Sequence, residues 1–271
     1  MFTNSSLIYF KLWPGGNTTA IVSQPIPRKL QPRIARQIMG NDRSIEQVGF
    51  IERSRKKKAA FRLQMMGGEF CGNAARAAAY LWTMHFPRLK KVQFEVSGFS
   101  KLVTALIEDE DVTLLLPGSF YIGSRRFSDG TLVDLAGIRH LVVSDSKKRD
   151  AVKLINRICD GYAAVGIIST QRKRSVVEID PLIWVRDTET FVHETACGSG
   201  SIAVALADFE RNGSNFSCIR QPSGEHYHVI LSRRKGRVSS IELSGTVRYI
   251  DEGKIIGKTQ QQKVQLASHA A

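Results

Sequence analysis

Two stretches of the chain follow one pattern. The first reads Cys71-Gly72-Asn73-Ala74-Ala75-Arg76-Ala77-Ala78-Ala79, and the second reads Cys197-Gly198-Ser199-Gly200-Ser201-Ile202-Ala203-Val204-Ala205. Each has a Cys-Gly pair, a polar residue, a small residue and then an Ala-rich run. Asn, Ser and Gly suit the first turn of a helix, and alanine has the highest helix propensity. The pattern therefore predicts that each cysteine stands at the N-terminus of a helix.

A cysteine at a helix N-terminus has particular chemistry. The N–H groups of the first turn have no partner inside the helix, and the helix dipole favours negative charge there. Such a site can hold a carboxylate and can lower the pKa of a thiol from its usual value of about 8.5. Two helix N-termini that face each other would place two sulfurs on opposite sides of one bound amino acid. Cys71 and Cys197 are thus the predicted catalytic pair.

Composition and charge limit the class of protein. The chain has 271 residues, 42% of them hydrophobic and 24% charged, which suits one large globular domain or two ordinary ones. No apolar run approaches the roughly 20 residues of a membrane span, and the first residues do not resemble a signal peptide. Four cysteines are too few for a disulfide scaffold. We expect a cytoplasmic protein with free thiols and no membrane partner.

The net charge of +14 raises nucleic acid as a partner. The basic residues cluster in short runs at predicted turns, without the interleaved aromatic side chains that stack on bases. These runs are residues 56–58, 147–149, 172–174 and 233–235. Solvated turns are the favoured interpretation, and no nucleic-acid partner is expected. A basic nucleic-acid-binding module, with the cysteines as core residues, stays open as the non-enzymatic alternative.

The predicted elements occur in a similar order in both halves. The first half has strands at 7–12, 18–22, 46–52 and 61–65, helices at 32–39 and 71–85, and later strands at 92–96, 102–107 and 112–116. The second half has strands at 131–135, 140–143, 163–169 and 176–179, a helix at 150–158, the second Ala-rich helix, and strands at 226–231 and 239–243. Ser97-Gly98 and Ser244-Gly245 close matching strands. We predict an α+β fold of two divergent copies with a site at their seam.

The chemistry of the cysteine pair requires neither a cofactor nor a metal. Most amino-acid racemases use pyridoxal phosphate to delocalise the charge of the carbanion, but no phosphate-binding loop with a partner lysine is found. Without it, backbone N–H donors and two bases on opposite faces must stabilise the carbanion. Cys159 and Cys218 lack the glycine-flanked pattern and are interpreted as structural. No pair of Cys or His residues has zinc-ligand spacing supported by a second pair.

Together with Gly16-Asn17, the two cysteine motifs resemble the diaminopimelate epimerase superfamily of cofactor-independent amino-acid racemases and epimerases. The resemblance covers nearly the whole chain. It implies two pseudo-symmetric domains, each a central helix wrapped by mostly antiparallel sheet. We place them at residues 1–117 and 118–254, with the tail 255–271 returning to the first. Roles carried over from the family are catalysis for Cys71 and Cys197, and substrate binding for Asn17, Gln47, Gly72, Asn73, Gly198 and Ser199.

Within that superfamily, the chain is similar to the histidine racemase branch associated with opine-type metallophore biosynthesis. The segments that carry this similarity are Glu46-Gln47-Val48-Gly49-Phe50, Glu69-Phe70-Cys71-Gly72-Asn73-Ala74, Glu194 before Cys197, and Gln221-Pro222-Ser223-Gly224. No arginine precedes either cysteine where diaminopimelate epimerase holds a distal carboxylate. That absence makes diaminopimelate a poor candidate substrate.

Three acids complete the predicted site. Glu46, Glu69 and Glu194 flank the cysteine motifs, and a carboxylate there favours a side chain with N–H donors, such as imidazole. We therefore predict a racemase that interconverts L- and D-histidine. Diaminopimelate epimerase and a broad-specificity racemase stay open as alternatives, and the resemblance leaves a homodimer open.

Overall fold

The computed structural model describes residues 6–127, 130–144 and 151–255, which form an α+β fold around one large mixed β-sheet. The elements of the first half are β1 (Leu7–Trp13), β2 (Thr19–Val22), α1 (Gln31–Asn41), β3 (Gln47–Glu52), β4 (Arg62–Met65), α2 (Gly72–His85), β5 (Lys91–Val96), β6 (Phe99–Glu108) and β7 (Asp111–Pro117). Those of the second half are β8 (Tyr121–Phe127), β9 (Gly130–Leu135), β10 (Ile138–Ser144), α3 (Ala151–Ile158), β11 (Ala164–Lys173), β12 (Val176–Val185), β13 (Thr190–His193), α4 (Gly198–Asn212), β14 (Phe216–Arg220), β15 (His226–Arg234), β16 (Arg237–Thr246) and β17 (Arg248–Ile255).

Most strand pairs are antiparallel, and each half also contains parallel pairs. The parallel pairs are β2 with β3, β4 with β5, β10 with β11, and β12 with β14. Two antiparallel pairs join the halves: β7 lies beside β16, and β1 lies beside β17. The sheet is therefore continuous from one half to the other.

Helices α2 and α4 each pack against several strands of the sheet and also contact each other. Helix α2 packs against β2, β3, β4, β6 and β7, and α4 packs against β9, β10, β11, β14, β15 and β16. All five alanines of α2, from Ala74 to Ala79 around Arg76, are at most 1% exposed. Because alanine side chains are small, strands can approach the helix closely on several sides, so an Ala-rich sequence suits a central helix.

The predicted helices and strands occur where expected, but four strands were not anticipated: β8, β13, β14 and β17. Strand β12 also continues through Pro181 to Val185, whereas the predicted strand ended at residue 179. Its partner β14 pairs with residues 176–178 and its partner β13 with residues 182–185. Pro181 lies between these stretches, so the backbone N–H that proline lacks is not needed for either ladder.

The basic runs at residues 56–58, 172–174 and 233–235 lie in exposed turns or strand ends, whereas the run at 147–149 lies outside the described residues. Of the tail expected to return to the first half, only Ile255 is described, at the end of β17 beside β1. Within the described ranges, no helix is both long and apolar enough to cross a membrane.

Candidate active site

Each catalytic candidate is the N-cap residue of a central helix. Cys71 precedes α2, and its sulfur accepts a hydrogen bond from the Ala74 N–H at 3.4 Å. Cys197 precedes α4, and its sulfur accepts one from the Gly200 N–H at 3.3 Å. Both cysteines have extended backbone, as an N-cap residue requires. The sequence pattern therefore predicted the local geometry correctly.

The two helix N-termini meet directly. A Cβ atom placed on Gly72 would lie 3.5 Å from the Gly198 Cα, and one placed on Gly198 would lie 2.9 Å from the Asn73 Oδ1. A Cβ atom added at either position would also lie within about 3.0 Å of the Leu243 side chain. Glycine at both positions thus permits the close approach, and both first turns lie beside one cleft.

The cleft brings together most of the predicted site. Its lining contains eight predicted residues: Glu46, Gln47, Glu69, Cys71, Glu194, Cys197, Gly198 and Ser199. The remaining lining residues are apolar: Met66, Phe70, Ile138, Ile183, Val185 and Val192. The free volume is about 20 Å³, which is room for about one water molecule. An amino acid can therefore enter only if the walls of the cleft move apart.

Asn17 and Asn73 lie behind the cleft and hold the second cysteine segment in place. Both side-chain amides donate to the carbonyl of Ala196, at 3.0 Å from Asn17 and 2.9 Å from Asn73. Asn73 also accepts a hydrogen bond from the buried guanidinium of Arg76, which donates in addition to the Pro14 carbonyl. These contacts fix the residue that precedes Cys197 against the start of α2.

Gln47 contacts the first cysteine directly. The Cys71 thiol donates to the Gln47 Oε1 at 2.8 Å. The amide nitrogen of Gln47 donates to the Thr19 hydroxyl at 2.7 Å. Gln47 and Thr19 are buried, so this orientation is held away from water.

Glu46 joins the two halves rather than presenting a free carboxylate. One of its oxygens accepts the Thr195 N–H at 2.9 Å, and the other accepts the Thr195 hydroxyl. Thr195 also accepts the backbone N–H of Asn17 at 2.6 Å. The segment just before Cys197 is thereby tied to the first half at several points.

Glu69 is buried and Glu194 is half-buried, and both carboxyl groups hold their protons more tightly than usual. Burial raises the pKa of Glu69 to about 7, although its carboxylate accepts the Gly67 N–H at 2.9 Å. Burial, assisted by the charge of Glu46, raises the pKa of Glu194 to about 8. The cleft therefore contains three carboxyl groups, two of which titrate near neutral pH.

The expected lowering of the thiol pKa values is wrong for this structure. Burial, followed by the charge of Glu194, raises the pKa of Cys71 to about 12 and raises that of Cys197 well above its ordinary value. The N–H groups at the helix starts act in the opposite direction, but they contribute less than the loss of solvent. In a narrow cleft, desolvation outweighs the stabilisation that a helix N-terminus gives a thiolate.

Two residues near the second cysteine were not identified from the sequence. The Gln221 Oε1 accepts the Cys197 N–H at 2.9 Å, and the His140 Nε2 lies 2.9 Å from the Ser199 hydroxyl. Burial lowers the pKa of His140 to about 3, so the ring is neutral. Gln221 belongs to a motif that the family resemblance had marked, whereas His140 lies in an apolar strand with nothing local to distinguish it.

Cys159 and Cys218 lie away from the cleft, in the region after α3 and in β14. No group of three or more His, Cys, Asp or Glu side chains in the described part of the chain is placed to hold a metal ion. Chemically, the arrangement offers two sulfurs, two sets of first-turn N–H groups and a cluster of acids around one small space.

The fold is shared with solved structures at low sequence identity. It is similar to a probable proline racemase from Agrobacterium radiobacter K84, with a TM-score of 0.65, 13% identity and 92% of each chain covered. It is also similar to a predicted epimerase from Pseudomonas aeruginosa, with a TM-score of 0.67, 12% identity, and 93% of this chain and 100% of that chain covered. The protein thus has the racemase and epimerase fold.

Sequence comparison identifies the family. Residues 6–256 match the family described as the histidine racemase CntK N-terminal domain, and the chain belongs to this family. A histidine racemase from Fusobacterium nucleatum is 28% identical, with 93% of this chain and 97% of the relative covered. A histidine racemase from Staphylococcus aureus is 24% identical, with 93% of this chain and 98% of the relative covered. The family expected from the cysteine motifs is confirmed, and the enzyme is an isomerase of the racemase class.

Proposed function

We propose that this enzyme interconverts L- and D-histidine, with Cys71 and Cys197 as the two bases and with no pyridoxal phosphate or other cofactor. The observation that carries the proposal is the placement of both cysteines at abutting helix N-termini beside one cleft. Membership of the histidine racemase family supports the same substrate.

The helix starts give each part of the substrate a partner. The first-turn N–H groups of α2 and α4, from Gly72, Asn73, Gly198 and Ser199, bind the substrate carboxylate, because they have no carbonyl partner within the helices. One sulfur, as a thiolate, removes the α-proton, and the thiol on the other face donates a proton to the same carbon. The N–H groups stabilise the negative charge that spreads onto the carboxylate during the transfer.

The acids favour histidine over a diacid. Three carboxyl groups line the cleft, and no Arg or Lys is among the lining residues that the structure describes. Glu69 and Glu194 have pKa values near neutrality, so each can either accept an imidazole N–H or donate a proton to an imidazole nitrogen. A distal carboxylate, as in diaminopimelate, would be repelled. Glu46 acts through Thr195 and shapes the cleft.

Three further features form part of the proposal. The halves at residues 1–117 and 118–254 act as domains that part to admit substrate, since the cleft has too little room for histidine. The enzyme is cytoplasmic and acts without nucleic acid, since its described cysteines are free thiols and the described basic runs are solvated. A homodimer and a metallophore precursor as product rest on the family resemblance alone.

The test of substrate recognition compares histidine with 3-(2-thienyl)alanine, which has a ring of similar size without an N–H donor, and with meso-diaminopimelate. We expect kcat/KM for histidine to exceed that for thienylalanine by about 100-fold or more, because a site built around polar groups rejects an analogue that leaves them unpaired. Equal kcat/KM values for histidine and thienylalanine would show that the acids do not recognise the imidazole through hydrogen bonds. A preference for meso-diaminopimelate would contradict the assignment of histidine.

A further inference from the structure

Arg76 is a buried charged side chain that the proposed chemistry does not use. It lies on α2, one helical turn after Asn73, where it interrupts the run of alanines, and it is fully buried. A guanidinium stays charged at every pH at which a protein is folded. Burial of such a charge is costly unless an opposite charge compensates for it, so selection of arginine at this position has a specific cause.

None of the contacts of Arg76 in the described part of the chain is with an acid. Its Nη2 donates to the Pro14 carbonyl at 2.9 Å and to the Asn73 Oδ1 at 3.0 Å. Its Cζ lies 4.2 Å from the centre of the Tyr227 ring, and its Nε and Nη1 have no hydrogen-bond partner. The two oxygens and the ring stabilise the guanidinium, but they carry no net charge that could cancel its own.

The fold does not require a cation at this position. Arg76 is the fifth residue after Cys71, and the fifth residue after Cys197 is Ile202. Ile202 is also fully buried, on a helix that packs against several strands just as α2 does. An apolar side chain therefore suits this place on a central helix, and packing alone does not account for the charge of Arg76.

The guanidinium lies directly behind the two helix starts. The Asn73 Oδ1 that it contacts would lie only 2.9 Å from a Cβ atom added to Gly198, at the start of α4. Within α2, one turn separates Arg76 from the first-turn N–H groups, a rise of about 5 Å along the helix axis. The cation is thus close to both of the helix starts that border the cleft.

Arg76 also fixes the orientation of the Asn73 amide. A guanidinium can only donate hydrogen bonds, so the Asn73 oxygen must face Arg76. The Asn73 nitrogen is then left to donate to the Ala196 carbonyl, at 2.9 Å. Through this amide, the cation is connected to the residue that precedes Cys197.

The cleft collects negative charge on the other side of this amide. Three carboxyl groups line it, and its described lining includes no Arg or Lys. The substrate adds a carboxylate, and the reaction adds a thiolate and the charge of the carbanion. The N–H groups of a helix start together supply only about half a positive charge, so a full positive charge behind them adds substantially to the balance.

We propose that Arg76 is the counter-ion of the active site, which balances the negative charge at the paired helix starts from behind Asn73 without contacting the substrate. The inference rests on the proposed function and adds a positioning residue to it. In the water-poor interior, the charge of Arg76 acts across the intervening side chain on the substrate carboxylate and on the carbanion. No bond or proton changes at Arg76 during the reaction.

The test measures the electrostatic potential at the two thiols with a pair of alkylating reagents. Iodoacetate carries a carboxylate, and iodoacetamide is its neutral analogue of nearly the same size, so the ratio of their rates reports the local charge. Because both reagents attack the thiolate, a change in thiolate population or in access cancels in the ratio. Mass spectrometry follows Cys71 and Cys197 separately, and Cys159, which lies away from the cleft, is the internal reference.

Three variants separate the charge of Arg76 from its packing. Arg76→Met removes the charge and keeps much of the side-chain length, Arg76→Lys keeps the charge without the planar fork, and Ile202→Met is the matched control on α4. We expect the iodoacetate-to-iodoacetamide ratio at Cys71 and Cys197 to fall about tenfold or more in Arg76→Met. The ratio should stay within about threefold of wild type in Arg76→Lys and in Ile202→Met.

Urea unfolding of the same samples shows which variants are folded. An unchanged ratio in folded Arg76→Met, with both reagents slowed or accelerated alike, would show a merely structural role and overturn the inference. If Arg76→Met does not fold, Arg76→Lys decides, because a tenfold fall in the ratio despite the retained charge would also overturn it, whereas an unaltered ratio supports it.

Racemisation of histidine, measured on the same samples, distinguishes this inference from the proposed function. We expect kcat/KM to fall about tenfold or more in Arg76→Met and to fall less in Arg76→Lys. If the wild-type enzyme racemises histidine but the alkylation ratio does not depend on Arg76, the proposed function stands and the counter-ion is wrong. If the wild-type enzyme does not racemise histidine, the proposed function fails and the role of Arg76 in it fails as well.

Discussion

The carbonyl of Ala196, one residue before Cys197, provides a quantitative test of how the second cysteine is held. It accepts hydrogen bonds from two buried side chains, Asn17 at 3.0 Å and Asn73 at 2.9 Å, and Ala196 is fully buried. Removing one donor leaves the carbonyl satisfied by the other. Removing both leaves a buried carbonyl without either side-chain donor, which is the more costly situation.

The magnitude follows from these contacts. The loss of one hydrogen bond costs about 1 kcal/mol, whereas an unsatisfied buried acceptor costs about 1–3 kcal/mol. We therefore expect the free energy of unfolding to fall by more in Asn17→Gly/Asn73→Ala than the sum of the single variants, with a coupling of about 1–2 kcal/mol. Glycine is chosen at position 17 because Asn17 has φ of +48°, which glycine adopts without strain. The contact of Asn73 with Arg76 is lost in the Asn73→Ala single variant as well as in the double variant, so it cancels in the coupling energy.

The assay is urea unfolding followed by tryptophan fluorescence, with m-values compared to check that the unfolding reaction is unchanged. A second cycle, Gln24→Ala with Asn73→Ala, is the control, since the Gln24 side chain accepts the Ile8 N–H and takes no part in the hydrogen bonds that Asn17 and Asn73 donate to the Ala196 carbonyl. We expect that control to be additive. Additivity within about 0.5 kcal/mol for Asn17 and Asn73 as well would refute the shared role of the Ala196 carbonyl.

Two further predictions concern other positions. Gly198→Ala should destabilise the fold and abolish racemisation, because the added Cβ would lie 2.9 Å from the Asn73 Oδ1. As a control, Gly40→Ala places its Cβ in open space on α1 and should stabilise the fold by about 0.5–1 kcal/mol. Equal effects of the two substitutions on stability would contradict the close contact between the helices. The raised pKa of Glu69 means that its contribution to stability is full below about pH 4.5 and is lost as pH rises through about 7. Glu69→Gln keeps an acceptor for the Gly67 N–H, so the free energy of unfolding at low pH should be unchanged. At pH 8 the substitution removes a buried charge and should raise the free energy of unfolding by up to about 3 kcal/mol. A lower free energy of unfolding at pH 8 would contradict the argument from burial.

The features that could be predicted from the sequence are local ones. A Cys-Gly-polar start followed by alanines predicts a helix N-terminus from a few adjacent residues, and both helices begin at the glycine after the cysteine. Strand β17 (Arg248–Ile255) was not predicted because its residues are mostly exposed and polar. It is a strand because β1, more than 200 positions earlier, pairs with it.

The roles of the acids and the thiol pKa values depend on contacts between distant residues. Glu46 contacts Thr195 from 149 positions away, and nothing beside Glu46 in the sequence indicates that partner. The helix start predicts a lower thiol pKa, but the degree of burial in a closed cleft reverses the direction. The sequence motifs and the family resemblance therefore identified most of the polar residues that meet in the cleft, while their charge states required the tertiary structure.

The most direct test of the two-base mechanism is proton NMR of the purified enzyme with L-histidine in D₂O, without added pyridoxal phosphate. We expect the α-proton signal of histidine to disappear while D-histidine accumulates on a chiral column, and we expect both events to be lost in Cys71→Ser and in Cys197→Ser. Deuterium exchange and D-histidine formation that continue at near wild-type rates in either variant would contradict the assignment of the two cysteines as the catalytic bases.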